Sequence, residues 1–141
     1  MQNALAQNIK FSIRVMIENN LGQVLLGLKR KGYHANHWIF PGGQLDYGES
    51  VSQCGCREVW EETALKVEVV GLLGIVAETT ANKHVVFINL LARGEGNPVL
   101  TEPHEMIEWK WVDINQLPAN ITVSVQSAID KYQSGQPVIS V

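Results

Sequence analysis

Apolar and polar residues alternate along several stretches of the chain, a pattern typical of β-strands with one buried face. We predict strands at Lys10–Glu18, Gln23–Lys29, His37–Phe40, Lys66–Thr79, His84–Arg93 and Glu108–Val112. The turn residues at 19–22 should join the first two strands as a hairpin. The run from 66 to 79 contains two glycines and should be bent or bulged. His84–Arg93 is nearly all apolar and should be a central strand.

The stretch Ser50–Thr63 has the length and composition of a helix. Ser50 is a favourable N-cap, and Gln53 three residues later completes a capping-box pattern. Gly55 costs about 1 kcal/mol relative to alanine inside a helix, so its presence needs a packing reason. It belongs to a stripe that should pack closely on a sheet, formed by Val51, Gly55 and Val59.

A second helix is predicted over Ile121–Tyr132, where apolar residues recur at helical spacing. Asp113–Pro118 should form a short helical turn that ends at the proline. The polar residues 1–8 should be loosely ordered, and residues 135–141 should form a tail. Strands on both sides of a central helix indicate an α/β protein with a mixed sheet packed between helices, and the pattern leaves the strand order open.

Length and composition predict one domain over residues 1–141 and exclude some classes of function. The net charge of −3 gives no reason to expect binding to bulk nucleic acid. No apolar run approaches the roughly 18 residues of a membrane span, and no secretion signal is evident, so we expect a cytoplasmic protein without a membrane contact. Cys54 and Cys56 point to different helix faces and should be small core or boundary residues.

Four glutamates mark the candidate chemistry. Glu58, Glu61 and Glu62 stand at i, i+3 and i+4, so they share one face of the predicted helix. Together with Glu49 at the helix start, these like charges should attract a cation, although most paired glutamates on helices are simply solvated. Oxygen ligands on a rigid helix suit a hard divalent ion such as Mg²⁺ or Mn²⁺.

The spacing of these residues resembles the Nudix box. Gly43 is followed after five residues by Glu49, then after seven by Arg57-Glu58-Val59, and then by Glu61-Glu62 and Ala64-Leu65. Every fixed position matches except Ala64, where the family has glycine at the end of the helix. The resemblance implies an α/β/α sandwich and an enzyme that hydrolyses a nucleoside diphosphate linked to another group, with water activated by a metal.

The resemblance also implies roles for individual residues. Glu58 and Glu62 would be the principal metal ligands, Glu61 would bind directly or through water, and the backbone carbonyl of Gly42 would contribute. Arg57 would pair with Glu49 and fix the helix against its loop. The general base would come either from the helix or from the downstream loop, where the candidates are Glu102 and, preferred here, Glu105. The alternative for both loop residues is a solvated loop.

The substrate class also follows from the resemblance. The markers of the ADP-ribose and dinucleoside-polyphosphate classes downstream of the box are missing, and so is the coenzyme A signature before the box. The runs 25–32, 38–43 and 60–65 resemble MutT-like nucleoside triphosphate diphosphatases, in particular the subgroup that contains the thiopurine-nucleotide diphosphatase. This implies hydrolysis of a ribo- or deoxyribonucleoside triphosphate to the monophosphate and pyrophosphate. The resemblance also favours a homodimer, because many relatives are dimers. The rivals are a hydrolase of nucleotide sugars or ADP-ribose and a non-catalytic nucleotide-binding regulator.

Several side chains are candidates for contacts with this nucleotide. Arg30 could attract the triphosphate, although a basic loop is more often merely solvated. His37, Phe40 and Phe87 could stack on the base or contact its edge. The alternative for each of these three is an ordinary place in the core.

Overall fold

The computed structural model describes residues 8–141, and the prediction for residues 1–7 lies outside them. Within these described residues, seven strands and two helices follow one another in the order β1 (Ile9–Glu18), β2 (Gln23–Lys29), β3 (Trp38–Ile39), β4 (Gly42–Gln44), α1 (Val51–Thr63), β5 (Glu68–Thr79), β6 (His84–Arg93), β7 (Met106–Asp113) and α2 (Val123–Gln133). The predicted strands and helices are therefore all found, and the predicted helical turn at Asp113–Pro118 is reduced to one turn. There, a backbone hydrogen bond from Gln116 N to Asp113 O closes a single turn.

The strands form one mixed sheet. The order β3-β2-β1-β6-β5 places β6 between β1 and β5, so the prediction of a central strand is confirmed. Strands β1 and β6 run parallel, whereas β5 pairs antiparallel with β6, and β7 pairs with β2. The predicted bulges in β5 occur between Val69 and Gly71 and between Leu72 and Gly74.

The two helices cover opposite faces of this sheet. Helix α1 packs on β1 and β6 through Gly55, where an added Cβ would lie 3.1 Å from both Leu90 Cδ1 and Val15 Cγ2. Helix α2 packs on the other face, where Val125, Ala128 and Ile129 join the core cluster of Met16 and Leu91. The predicted α/β/α arrangement and the close packing at Gly55 are thus confirmed. Neither helix of the described residues is long and apolar enough to cross a membrane.

Strand β4 was missed by the sequence pattern. It pairs antiparallel with the middle of β1, where Ile13 lies opposite Gly43. It therefore occupies the edge of β1 that the predicted hairpin assigned to β2, and the β1–β2 register is limited to Glu18 and Val24 beside the turn. This insertion brings the Pro41–Gly43 segment beneath the C-terminal half of α1.

Both ends of α1 are fixed by local sequence. The Ser50 hydroxyl accepts a hydrogen bond from Gln53 N, and the Gln53 side chain accepts one from Ser50 N, as the capping box predicts. The helix ends at Ala64, which has a left-handed conformation and donates its N–H to Trp60 O. Alanine costs roughly 1 kcal/mol there relative to glycine. Ala64 therefore still ends the helix at the position where the family pattern has glycine.

Candidate active site

A cleft of about 650 Å³ opens between α1, the sheet and the loops that follow β2 and β6. Residues of β1 and β6 form its floor, and Glu58 and Glu62 reach it from α1. The backbone of Gly42 and Gly43 lines the cleft beside these carboxylates. The cleft therefore combines paired carboxylates with a glycine-rich strand that leaves its backbone accessible.

Glycine at position 43 leaves room for the Glu58 carboxylate, which lies against it. A Cβ added to Gly43 would overlap Glu58 Cδ and both carboxylate oxygens. The neighbouring Gly42 donates its N–H to Glu62 Oε1 over 3.1 Å. Strand β4 thus positions one carboxylate by contact and the other by a hydrogen bond.

Glu62 is the most strongly perturbed carboxyl of the cleft. Burial raises its pKa to about 8, and the charges of Glu58 and Glu102 act in the same direction. Arg14 and the Gly42 N–H oppose this effect. A carboxylate that is buried beside like charges is stabilised by an added cation.

Arg57 is the centre of an ion-pair network on the outer side of the same helix. Its Nε and Nη2 atoms donate to both oxygens of Glu49, over 3.0 and 2.8 Å, which confirms the predicted pairing. Its Nη1 atom donates to Glu58 Oε1 and Glu61 Oε1, each over 2.9 Å. Glu49 is thereby held ionised, because the Arg57 hydrogen bonds lower its pKa to about 2. The network joins the start of α1 to the carboxylate that enters the cleft.

The two loop glutamates differ in their surroundings. Glu105 accepts a hydrogen bond from Lys29 over 2.8 Å and lies 3.6 Å from Lys31, and the Lys29 contact lowers its pKa. Glu102 also lines the cleft, and in the described part of the chain it makes no ion pair. A carboxylate held by two ammonium groups is a weak proton acceptor, so electrostatics do not favour Glu105 over Glu102 as the general base. Access does not distinguish the two residues either, because both line the cleft.

The predicted substrate contacts fall in different places. Phe87 lines the cleft. Phe40 is fully buried in the core beneath α2, which is the alternative considered for it, and a bound ligand does not reach it in this conformation. Arg30 and His37 lie outside the cleft lining, with Arg30 Nε donating to Pro103 O and His37 Nδ1 2.9 Å from Ala35 O.

The sequence did not predict several other residues that line the cleft. Arg14 lies on its floor, and burial lowers the pKa of this arginine while the charges of Glu62 and Glu58 raise it. Tyr33 and His34 lie at the wall, with His34 Nε2 3.1 Å from Glu78 Oε1. The period of two along β1 is the signal that could have found Arg14, because it places this residue on one face with Ser12.

The comparisons with known proteins agree with this geometry. The NUDIX domain model matches residues 9–132, which is most of the chain. The chain belongs to the Nudix family. It is 33% identical over 100 residues to the oxidized purine nucleoside triphosphate hydrolase of Danio rerio, a match that covers 69% of this chain and 62% of that protein. It therefore spans less than two thirds of the length of that relative.

Two further similarities cover more of both chains. The Nudix chain is 26% identical over 129 residues to the putative 8-oxo-dGTP diphosphatase of Bacillus subtilis, which covers 90% of this chain and 82% of that one. It also resembles the crystal structure of a MutT NUDIX hydrolase from Burkholderia pseudomallei, with a TM-score of 0.82 and 27% identity. That comparison covers 89% of this chain and 98% of the other, so the Nudix fold extends over nearly the whole described structure.

Nudix proteins generally need a divalent metal ion, and the glutamates of this chain suit one. Among residues 8–141, no three acidic, histidine or cysteine side chains converge closely enough to form a complete metal site. Glu61 contributes to this result because it points to Arg57 and is half exposed, outside the cleft lining. Glu58 and Glu62 nevertheless supply hard oxygen donors at the cleft. Burial raises the pKa of Glu62 despite the opposing charge of Arg14, so an added cation would stabilise the ionised carboxylate.

Exchange of Arg57 for lysine tests the network of this Nudix protein. Lysine keeps the charge but cannot bind both Glu49 oxygens and also reach Glu58 and Glu61. We expect kcat/KM to fall about ten-fold, because the carboxylate of Glu58 loses a fixed orientation. The matched control is R93K, since Arg93 is mostly exposed and contacts Glu18. Equal kcat/KM values for wild type and R57K would show that the network does not orient the site.

Proposed function

We propose that this Nudix protein hydrolyses ribo- or deoxyribonucleoside triphosphates to the monophosphate and pyrophosphate. The observation that carries the proposal is the cleft in which Glu58 and Glu62 face the glycine backbone of β4. The relatives whose names include nucleoside triphosphate hydrolase and 8-oxo-dGTP diphosphatase support this substrate class.

The proposed metal is Mg²⁺, or Mn²⁺ in its place, because both ions favour carboxylate oxygens. Glu58 and Glu62 would hold it, with Glu61 and the Gly42 carbonyl as the further predicted ligands. When bound, a divalent ion neutralises charge on the diphosphate oxygens and activates water. Use of Glu61 requires its side chain to leave Arg57, whereas Glu58 and Glu62 already line the cleft.

The chain's own residues would do the remaining work. Arg57 orients Glu58 through its hydrogen bond, and the Gly42 N–H orients Glu62. Glu105 remains the predicted general base, and Glu102 is the competing candidate because it too lines the cleft. Phe87 would contact the base, since it is the one of the predicted aromatic contacts that the described cleft includes.

The domain extent, the cellular location and the oligomeric state are proposed from the sequence alone. We take the chain as a single domain over residues 1–141, acting in the cytoplasm on a small nucleotide and forming a homodimer. Sedimentation or light scattering would measure the mass of the assembly. A monomer at working concentration would contradict the homodimer without affecting the proposed chemistry.

Product release across a panel of nucleotides tests the activity. The purified protein with Mg²⁺ is given canonical and modified nucleoside triphosphates, ADP-ribose and nucleotide sugars, and pyrophosphate, phosphate and nucleotide products are measured. We expect pyrophosphate and monophosphate from triphosphates, and none of it without a divalent ion. Turnover of ADP-ribose or nucleotide sugars alone would overturn the substrate class. Absence of turnover throughout would favour a non-catalytic nucleotide-binding protein.

A further inference from the structure

The guanidinium of Arg14 lies on the floor of the cleft with neutral partners. Its Nε atom donates to Ser12 Oγ over 2.9 Å, and its Nη1 atom donates to Phe40 O over 3.0 Å. Ser12 and Phe40 are both buried, so these two bonds hold the guanidinium in one orientation. Arginine has five N–H donors, and these two bonds leave three of them for another partner.

Arg14 differs in this respect from Arg57. Arg57 forms ion pairs with Asp46, Glu49, Glu58 and Glu61 at 2.8 to 3.3 Å. Within the part of the chain that the structure describes, Arg14 has no carboxylate within 4.0 Å. The Arg14 side chain is partly buried where it lines the cleft, and a charged side chain that has lost part of its hydration is usually paired. The position of Arg14 therefore indicates an anion that comes from outside the chain.

The nearby glutamates are the alternative explanation, since Glu62 and Glu58 act on Arg14 electrostatically. Each, however, already has a closer hydrogen-bond donor. Glu62 accepts from the Gly42 N–H, and Glu58 accepts from Arg57 Nη1. Register places Arg14 directly opposite Gly42, so its guanidinium belongs to the same end of the cleft as both carboxylates. An anion bound at this end would contact Arg14 and the proposed metal site together.

We propose that Arg14 binds a phosphate of the substrate's diphosphate group through its free N–H donors. This inference rests on the proposed function, because it assumes that the diphosphate lies beside Glu58 and Glu62. The planar guanidinium forms two parallel hydrogen bonds to one phosphate, whereas a lysine ammonium acts as a single point charge. Arg14 is then a substrate-binding residue that fixes the diphosphate relative to the carboxylates.

The test compares R14K, R14M and the control R93K with the wild type. Binding of inorganic pyrophosphate in the presence of Mg²⁺ is measured by calorimetry, since this probe carries the diphosphate without any base or sugar. Binding of Mn²⁺ alone is measured separately, and the melting temperature reports whether each variant folds. Kinetic constants are then determined for whichever triphosphate the wild type turns over.

We expect R14M to weaken pyrophosphate binding about 10- to 100-fold, as for other hydrogen bonds to charged groups, and R14K to weaken it less. Mn²⁺ affinity should change less than two-fold in both variants, and R93K should match the wild type. If R14K binds pyrophosphate like the wild type, or if the loss matches a loss of Mn²⁺ affinity, Arg14 is only a counter-ion of Glu62. The pyrophosphate-binding measurement does not require hydrolysis of any triphosphate. A failure of the proposed function can therefore be distinguished from a failure of the proposed role of Arg14.

Discussion

Exchange of Glu58 for glutamine is expected to lower kcat about a thousand-fold, equivalent to about 4 kcal/mol of lost transition-state stabilisation. Glutamine has nearly the shape of glutamate, so it can still fit against Gly43 and accept the hydrogen bond from Arg57 Nη1. Its neutral amide oxygen binds a divalent ion more weakly than the carboxylate of glutamate does. The expected loss is therefore chemical rather than structural.

Three measurements on the E58Q variant separate these effects. The rate of pyrophosphate release gives kcat, the melting temperature reports the fold, and calorimetry with Mn²⁺ reports metal affinity. E108Q is the matched control, because Glu108 is an exposed residue of β7 whose nearest ion pair is a long one of 3.9 Å to Lys110. Wild-type kcat in E58Q would remove Glu58 from the metal site, and a collapse of the melting temperature would make the glutamate structural instead.

The elements of this fold could be predicted because their signals are local. Ser50 and Gln53 fix the start of α1 through a capping box that spans only four residues. Alternation predicts β1, and a near-continuous apolar run predicts β6 as a central strand. Strand β4 has no such signal, because Gly42–Gln44 is three residues long and contains two glycines. Its pairing depends on β1, which is distant in sequence, so no local pattern reveals it.

The site shows the same division between local and tertiary information. Helical spacing places Glu58, Glu61 and Glu62 on one face, but it cannot say which of them enters the cleft. The structure brings Glu58 and Glu62 inward, while Arg57 holds Glu61 at the half-exposed surface. Likewise, the alternation of β1 groups Arg14 with Ser12, but only the three-dimensional structure shows that these two residues line the cleft, whereas Ile13 and Val15 on the other face pack against α1.

The adjacent glycines of β4 give a second prediction, in which one substitution affects activity and the other stability. In G43A the new methyl group overlaps the Glu58 carboxylate, which is the end of a flexible side chain and can move. We expect kcat to fall about 100-fold, since a displacement of about 1 Å at a catalytic group can have this effect. The melting temperature should change by only a few degrees. In G42A the methyl group instead overlaps the backbone carbonyl of Ile13, which cannot move without disturbing β1.

The G42A variant should therefore lose about 3 kcal/mol of unfolding free energy, in the range of severe backbone and packing changes. Chemical denaturation and kcat measured on both variants separate the two effects. G74A is the control, because an added Cβ at Gly74 would lie 3.4 Å from the nearest atom of Lys131, an ordinary contact. Wild-type kcat in G43A would show that the position of Glu58 against the glycine is irrelevant to catalysis. Wild-type stability in G42A would show that β1 and β4 can separate freely. The two expected effects differ because Gly43 contacts the side chain of Glu58, whereas Gly42 contacts the backbone of β1.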